Sequence, residues 1–561
     1  MKLPYGISNF KDLVEQGYFF MDRTSYIEYL EGLGEKYIFF LRPRRFGKSI
    51  FLSMLAHYYD LNEKDNFQVL FGKYYIGQHP TEMANQYAVL RFEFSGIPTQ
   101  TPDSTLQGFL DNVRSGITEF LNRYPLLSTE EQEDILEQTQ PQAVIRKFFD
   151  AWKPKNQKIY LLIDEYDHFA NELLAFNLDN FMNIVSRNGF VRKFYETLKT
   201  GTFEGTIDRM FVTGVTPITL DSLTSGFNIA SHLSLHRDLH AMLGFSEEEV
   251  KQLLKNGDTE AGEELMEDIQ KWYNGYRFHK EGHQVYNPDM VLYFAKEYLR
   301  SGKYPDQMLD VNVASDYGKL RRLFALRNPA QNFEVLNDLV QKPSVPAILT
   351  AQFSFEKEFS RNDFLSLLFY MGFITHYAET PFHSFRIPNE VIRALYLEYF
   401  IHLLKEREGL SFTEEAVGEA ILQMGFYENI EPFFRIIESI LQELSRRDYQ
   451  NFDEKYIKLL ILATSMISNQ YFHLESERET KGGYIDILFL EKKPFKVYHQ
   501  YAIELKYLKK EESKQLETTQ QKAATQLRDY IRSEKRLTEM QNLKAYTLVV
   551  VKDELHWKEI S

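Results

Sequence analysis

A basic turn near the N-terminus has the residue types that bind a phosphate group. Residues 42–49 read RPRRFGKS and lie between a strand-like apolar run and a helix-like run. In a loop of this kind a glycine lets the backbone approach the phosphate, a lysine reaches the β- and γ-phosphates, and a serine ligates Mg²⁺. Gly47, Lys48 and Ser49 fit these three roles. Arg42 stands where the generic motif has its first glycine, so an ordinary turn is the alternative.

An apolar run that ends in acidic residues supplies the second half of a nucleotide site. Residues 159–167 read IYLLIDEYD. Asp164 at the end of such a strand suits the Mg²⁺ shell, and Glu165 suits the residue that polarises the attacking water. A solvated acidic loop is the alternative, but the GKS turn upstream favours a nucleotide site. We predict Ser49 and Asp164 as metal ligands and Glu165 as a catalytic residue. The predicted nucleotide-binding residues are Arg44, Arg45, Phe46, Gly47, Lys48, Ser49 and Asp164.

A second set of reactive side chains occurs near the C-terminus. Asp486 lies in the strand-like GGYIDILFL, and Glu504 and Lys506 lie in the strand-like YAIELKYL. Residues two apart face the same side of a strand, so Glu504 and Lys506 project together and Asp486 can join them. Carboxylates bind Mg²⁺, which stabilises a pentacovalent phosphate and activates water while the lysine positions that water. We predict these three residues as catalytic, with both acids on the metal; a surface strand that carries ExK by chance is the alternative.

Short apolar strands separated by helices must position the N-terminal residues. The strand-like runs are 36–41, 87–94, 159–163 and 209–213, and the helix-like runs are 49–59, 104–123 and 129–152. This alternation predicts a parallel sheet with helices on both faces. Thr213, at the end of the last strand-like run, fits either a γ-phosphate sensor or a plain strand end.

The rest of the chain changes character twice. From about residue 246 the pattern is mainly helical, and the C-terminal part then has a helix-like run at 454–468, strand-like runs at 484–490, 497–505 and 543–551, and a helix-like run at 516–532. This order predicts a small second α/β fold. The predicted domains are 1–240, with the phosphate-binding turn, 241–410, a helical lid or spacer, and 411–561, with the C-terminal acids.

Several separated motifs resemble one family in one order. LPYGISNF, FMDRT and FLRPRRFGKS, followed by FVTGVTPI, LGFSEEEV, WYNGYRF and YNP, resemble the AAA-ATPase-like family of bacterial proteins over roughly residues 3–300. That family's own turn reads RPRRFGKS, so the resemblance implies that Arg42 is normal variation. It also implies an ATP-binding P-loop NTPase domain followed by a helical lid.

The same resemblance extends to the C-terminal residues. Members of the family are often fused to a PD-(D/E)XK nuclease domain, and the D…ExK pattern resembles that domain. An upstream acid is then expected on the first core helix or the turn after it, and Glu477 fits the family spacing best. Glu475 and Glu479 are the other candidates. Tyr484 stands where members often have arginine.

The helix that follows the second strand of this motif carries two more candidate residues. Gln526 and Tyr530 lie one helical turn apart and share a face. Similar positions in such nucleases help to shape the site.

Composition limits the remaining classes of function. The chain has 561 residues, no cysteine and a formal net charge of −15. Disulfides and thiolate metal sites are therefore excluded, and a surface that coats nucleic acid non-specifically is disfavoured. Because no apolar run approaches the ~20 residues of a membrane span, we expect a cytoplasmic protein without membrane contact.

Together these observations predict an ATPase that gates a Mg²⁺-dependent nuclease acting on DNA, with ATP and Mg²⁺ as cofactors. The resemblance also allows a homo-oligomer. The alternative is a nucleotide-binding switch or scaffold whose nuclease-like domain is inactive and binds a partner.

Overall fold

A computed structural model describes most of the chain. The described residues are 1–176, 181, 183–184, 189–218, 229–257, 262–310, 323–324, 328–351, 353, 359–377, 383–446, 452–480 and 483–560, without the side chains of 174–176 and 477–480. The chain forms two compact units, the first built mainly from Met1–Leu299 and Ser344–Asn389 and the second mainly from Glu390–Ser561. The predicted three-part division stays a prediction.

The centre of the first unit is a parallel sheet. Its strands are β1 Tyr37–Leu41, β2 Ala88–Glu93, β3 Ile159–Asp164, β4 Ile207–Gly214 and β5 Ser231–His232. They lie in the order β2-β3-β4-β1-β5, and every pair is parallel. Strands β1 and β3 are almost continuously apolar, as a sheet covered by helices requires. Because the strands are parallel, the residues after β1, β3 and β4 all emerge at one edge.

Helices connect and flank these strands. They are α1 Phe10–Glu15, α2 Ser25–Gly32, α3 Lys48–Tyr59, α4 Phe67–Phe71, α5 Tyr75–Gln78, α6 Pro102–Arg123, α7 Thr129–Leu136, α8 Pro141–Trp152, α9 His168–Phe176 and α10 Phe190–Phe203. The continuous helix predicted at 129–152 is wrong, because the structure has two helices there. Pro141 is the first residue of α8, where its missing N–H is tolerated and its fixed φ suits a helix start.

The middle of the chain is mainly helical, as predicted. Its helices are α11 Glu247–Asn256, α12 Glu263–Tyr273, α13 Pro288–Ser301, α14 Pro329–Gln341 and α15 Arg361–Tyr370. A small antiparallel sheet, which the sequence pattern did not reveal, consists of β6 Val345–Pro346, β7 Thr375–Tyr377 and β8 Ser384–Arg386. Strands this short have too few residues for a period-two pattern.

The described part of the second unit combines six α-helices with a mixed sheet. The helices are α16 Glu390–Glu408, α17 Glu414–Tyr427, α18 Glu431–Ser445, α19 Glu454–Met466, α20 Leu516–Ser533 and the short α21 Lys535–Thr538. The strands are β9 Phe472–Thr480, β10 Gly483–Glu491, β11 Gln500–Leu508, β12 Leu543–Val551 and β13 Glu554–Ile560. Their order is β13-β12-β11-β10-β9, with only β11 and β12 parallel. Leu527 of α20 is buried against Leu488 and Ala502 of the sheet.

The predicted fold class is therefore confirmed. The chain has an N-terminal parallel sheet, a helical middle region and a small C-terminal α/β fold.

Candidate nucleotide and metal sites

The phosphate-binding turn and the acidic run meet at the carboxyl edge of the first sheet. β4 lies between β1 and β3, and it pairs with both. The backbone N–H of Arg42 donates to the carbonyl oxygen of Gly214 at 3.2 Å, and that of Tyr166 donates to Thr213 at 3.2 Å. The loops after all three strands are thus held side by side, where α/β proteins commonly bind ligands.

Arg42 shapes the turn from inside the protein. Its side chain is 2% exposed, and its guanidinium lies 4.2 Å from the ring centres of both Phe40 and Phe278. The guanidinium donates to four backbone carbonyl groups at 2.7–3.2 Å, those of Leu41, Ser234, Leu239 and His240. Burial lowers the pKa of Arg42 to about 9. The arginine therefore ties the turn to the segment after β5 and replaces the missing glycine with side-chain contacts.

Gly47 and Lys48 begin helix α3. Gly47 is the N-cap residue with φ 86°, a left-handed conformation that glycine adopts without strain. Lys48 is buried, and its Nζ donates to the carbonyl oxygen of Pro43 at 3.0 Å. Burial lowers the pKa of Lys48, although the negative charges of Asp164 and Glu165 act to raise it. The lysine thus folds back over the turn whose phosphate it is predicted to reach.

Phe46 holds the turn against the aromatic stretch WYNGYRF. Its ring is 1% exposed and packs edge-on against Tyr276 and Phe278, with centroid distances of 5.0 and 5.2 Å. Edge-to-face aromatic pairs favour one relative orientation. Phe46 therefore acts on the predicted nucleotide through the shape of the turn.

Arg44 and Arg45 extend from the turn towards charged or ionisable side chains. Nη2 of Arg44 lies 3.3 Å from Nδ1 of His168. Nη1 of Arg45 lies 4.0 Å from Oδ2 of Asp289, and Arg45 has a φ of 67°. A positive φ is uncommon outside glycine, so the turn holds this residue in a strained backbone conformation.

Ser49 and Asp164, the two predicted metal ligands, are brought together. Asp164 is 8% exposed at the end of β3, and Oδ1 accepts the N–H of Glu165 at 2.9 Å. Burial raises the pKa of Asp164, whereas a hydrogen bond from Ser49 and the charge of Lys48 lower it. A hydroxyl and a carboxylate in contact are oxygen donors that suit Mg²⁺.

Glu165 is held by a histidine that the sequence reasoning did not single out. Oε2 of Glu165 lies 2.8 Å from Nδ1 of His168, and Glu165 has a φ of 48°. Burial acts to raise the pKa of Glu165, but the hydrogen bond and charge of His168, with Lys48 and Arg44, lower it to about 2. The hydrogen bonds that His168 donates to Glu165 and Glu172 raise the pKa of His168 to about 9. Glu165 is thus an ionised, oriented acceptor; its i, i+3 spacing to His168 was the available signal.

Thr213 lies inside the sheet. It is 1% exposed, and its hydroxyl donates to the carbonyl oxygen of Phe40 at 2.9 Å. Asp167 accepts the N–H groups of Val215 and Thr216 at 3.0 and 2.6 Å. Both residues therefore stabilise the end of β4.

In the second unit the structure brings Asp486, Glu504 and Lys506 together on adjacent antiparallel strands. Nζ of Lys506 donates to Oε1 of Glu504 at 2.8 Å and lies 3.7 Å from Oδ2 of Asp486. Oδ2 of Asp486 also accepts the N–H of Leu505 at 2.9 Å. The arrangement matches the predicted D…ExK cluster.

Among the described side chains, Glu454 is an upstream acid that reaches this cluster, and the sequence reasoning did not single it out. Glu454 is the first residue of α19, after the N-cap Asp453, and its Oε1 lies 3.8 Å from Nζ of Lys506. Burial raises the pKa of Glu454, and the charge of Lys506 lowers it. The helix itself was predicted at 454–468, so its first acidic residue was an available signal.

The three glutamates proposed for that role lie on the strand that pairs with β10. The expectation of a helix or a turn for them is wrong, because Glu475, Glu477 and Glu479 lie on strand β9. Glu475 is buried, with Oε1 3.4 Å from Nε2 of His473. The side chains of Glu477 and Glu479 lie outside the described part of the structure. The acids of ESERET alternate as in a strand, but a run of charged and polar residues also fits a turn, which explains the error.

The carboxylate of Glu504 is buried in a way that favours a bound cation. It is 1% exposed, and within the described part of the chain its Oε2 has no hydrogen-bond partner. Burial and the charge of Asp486 raise the pKa of Glu504 to about 7. An unpaired buried carboxylate oxygen is costly, and a cation at this position would satisfy it. The carboxylate oxygens of Asp486 and Glu504 therefore fit Mg²⁺. Among the described residues, no three histidine or acidic side chains form a group that could hold a metal ion, and the ammonium of Lys506 lies among the acids of this cluster.

Gln526 and Tyr530 lie beside the start of β10. The amide of Gln526 donates to the hydroxyl of Tyr530. Gly483 has a φ of 142°, and a Cβ there would lie 2.7 Å from the Tyr530 ring. Tyr484, next along the strand, is 55% exposed. Glycine at 483 thus makes room for Tyr530.

Comparison with known proteins finds family matches over the two regions that contain these residues. Residues 4–224 match the family model described as predicted AAA-ATPase, and residues 452–560 match that of the PD-(D/E)XK nuclease superfamily. A relative named "Uncharacterized protein in vnfD 5'region", from Azotobacter chroococcum, is 28% identical over 312 residues. The match covers 53% of this chain and 53% of the relative, so the chain spans about half the relative's length.

The helices give one further finding. Within the described residues, no helix is both long enough and apolar enough to cross a membrane. One chain therefore carries a region that matches the predicted AAA-ATPase model and a second region that matches the PD-(D/E)XK nuclease superfamily model.

Proposed function

We propose that this protein is an ATPase whose nucleotide state gates a Mg²⁺-dependent nuclease that cleaves DNA. The observation that carries the nuclease is the buried Oε2 of Glu504 beside Asp486 and Lys506, for which the described residues supply no hydrogen-bond partner. Such an arrangement is costly for a purely structural core and suits a site that receives a cation. The fusion of the two family regions in one chain supports the coupling.

In the N-terminal site the residues divide the work of phosphoryl transfer. Lys48 exchanges the carbonyl of Pro43 for the β- and γ-phosphates, while the N–H groups at the start of α3 face the same anion. Ser49 and Asp164 hold Mg²⁺, which neutralises charge on the phosphates when it is bound. Glu165, kept ionised by His168, accepts a hydrogen bond from the attacking water.

In the C-terminal site the acids and the lysine act on a phosphodiester. Asp486 and Glu504 would hold the metal, with Glu454 at the rim; Glu477 stays a predicted ligand. The ion, when bound, acts as a Lewis acid on the phosphate and lowers the pKa of water. Lys506, which already donates to Glu504, positions the water for attack.

A nucleotide-regulated scaffold is the second candidate. Tyr484 replaces an arginine that related nucleases often use near phosphate, and the chain carries a net charge of −15. In that case the nuclease-like region binds a partner and cuts nothing.

Our main proposal has three further parts. They are a DNA substrate, assembly into a homo-oligomer, and the domain limits 1–240, 241–410 and 411–561.

Cleavage of single- and double-stranded DNA with Mg²⁺ or Mn²⁺ tests the proposal. We expect the wild type to cut and Lys506→Ala to lose cleavage, while Lys514→Ala, which removes an exposed lysine of the same unit, cuts normally. No cleavage by the wild type under any condition, with ATP binding retained, would favour the scaffold.

A further inference from the structure

A second lysine reaches the nuclease cluster from the helix that carries Glu454. Lys458 lies one helical turn after Glu454 on α19, so the two side chains share a face. Nζ of Lys458 lies 2.7 Å from Oδ1 of Asp486, and each side chain is 11% exposed. This contact is shorter than any that Lys506 makes with Asp486, and the D…ExK pattern has no place for it.

The two lysines engage both oxygens of Asp486. Oδ1 faces Lys458, while Oδ2 accepts the N–H of Leu505 and lies near Lys506. A divalent cation needs a carboxylate lone pair of the kind that the Lys458 ammonium now engages. The ammonium and the metal ion are therefore alternative partners for one oxygen.

The charges of the cluster lead to the same conclusion. Glu454, Asp486 and Glu504 bring three carboxylates, and Lys458 and Lys506 bring two ammonium groups. With both lysines in place, these five described groups in their ionised forms carry one net negative charge. If Lys458 leaves, it carries two, which a divalent ion neutralises. Replacement of an internal cation by a metal ion thus keeps the buried charges balanced.

We propose that Lys458 is an internal competitor of the metal ion, so that the nuclease site binds its metal only when the Lys458–Asp486 pair opens. This inference rests on the proposed nuclease function. Because only the open fraction binds, the apparent dissociation constant for the metal is raised by the cost of opening. Lys458 thereby sets the metal concentration at which the site becomes loaded.

Mn²⁺ titration of the full-length chain tests the proposal without nucleic acid or ATP. Every protein carries Asp164→Asn, which weakens metal binding at the nucleotide site, and isothermal titration calorimetry measures the C-terminal site. We expect Lys458→Met to bind Mn²⁺ roughly tenfold more tightly, about 1.4 kcal/mol. Lys458→Arg, which keeps the charge, and Lys455→Met, which removes an exposed lysine of the same helix, keep wild-type affinity.

Thermal unfolding provides a second readout and a check on folding. Lys458→Met removes the ammonium partner of Oδ1 of Asp486, so the melting temperature of the variant falls in EDTA and Mn²⁺ raises it more than in the wild type. Unchanged or weaker Mn²⁺ binding by Lys458→Met would overturn the competitor role. If Asp486→Asn abolishes binding in the same experiment, the metal site itself stands. If Asp486→Asn binds Mn²⁺ like the wild type, both the metal site and the competitor role fail.

Discussion

Single side chains determine the shape of both sites, and Arg42 illustrates how. The generic phosphate-binding loop has a glycine there, which suggests that restoring glycine would be harmless. The structure predicts the opposite, because Arg42→Gly removes four hydrogen bonds to backbone carbonyls and two ring contacts from a buried position. We expect a loss on the order of 3 kcal/mol in the free energy of unfolding, measured by denaturant titration.

Arg45→Gly is the matched control within the same turn. Arg45 has a positive φ and is partly exposed, so glycine relieves backbone strain there. We expect this variant to change the free energy of unfolding by less than about 1 kcal/mol. Equal destabilisation by the two substitutions would show that the contacts of Arg42 do not stabilise the turn.

At the scale of elements, the start of β10 depends on its fit to α20. A Cβ at position 483 would meet the Tyr530 ring, and the φ of Gly483 disfavours other residues. We expect Gly483→Ala to cost about 2–3 kcal/mol of stability. In a Tyr530→Ala background the steric part disappears and about 1 kcal/mol remains from the backbone. A double-mutant cycle by chemical denaturation measures this coupling, and strictly additive effects would contradict it.

The small sheet gives the first unit a dependence on pH. His376 of β7 packs against Phe369 and Phe385, and burial, with the charge of His383, lowers its pKa to about 3. Because the folded pKa lies below the unfolded value of about 6.5, stability is complete above pH 6.5 and falls as the pH drops towards 3. His240, whose pKa burial lowers to about 4, acts in the same direction.

Replacement of this histidine measures its share. When the pH falls from 6.5 to 5, the free energy of unfolding of the wild type decreases. We expect this decrease to be about 2 kcal/mol smaller in His376→Phe. Denaturant titrations at the two pH values give the difference. His402→Phe, at a more exposed position on α16, controls for the change of residue type. An unchanged pH dependence in His376→Phe would argue against a neutral buried imidazole.

The sequence predicts some elements of this fold and its sites much better than others. Long apolar strands such as β3 and β12 were predicted almost to the residue, because burial on both faces gives continuous apolar runs. Strand β9 was missed because its second half, SERET, has charged residues and no apolar pattern, and β13 was missed because its exposed positions carry charges, as in a loop. Glu454 was missed for a different reason: convergence of a helix start with two strands is a tertiary property, which spacing along the chain does not encode.

At the scale of the whole molecule, the proposal couples two chemistries through nucleotide binding. Lys48→Ala removes the ammonium that is predicted to bind ATP and leaves the C-terminal cluster untouched. We expect ATP to change the rate of DNA cleavage by the wild type and to have no effect on the variant. The assay compares initial rates with and without ATP at fixed Mg²⁺, and Lys147→Ala, an exposed lysine of α8, serves as the control. The same response to ATP in wild type and Lys48→Ala would separate the two activities.

The contacts of Arg42 also bear on how this turn can change in evolution. All four acceptors of its guanidinium are main-chain oxygens, which every amino acid possesses. Substitutions along residues 234–240 are therefore restrained by the packing of those side chains and not by this contact. The arginine itself has no such freedom, because a shorter or unforked side chain cannot serve four acceptors at once. Position 42 should therefore tolerate few substitutions, whereas residues 234–240, which supply backbone acceptors, should tolerate more. A selection experiment on a library that varies position 42 and residues 234–240 would measure this difference.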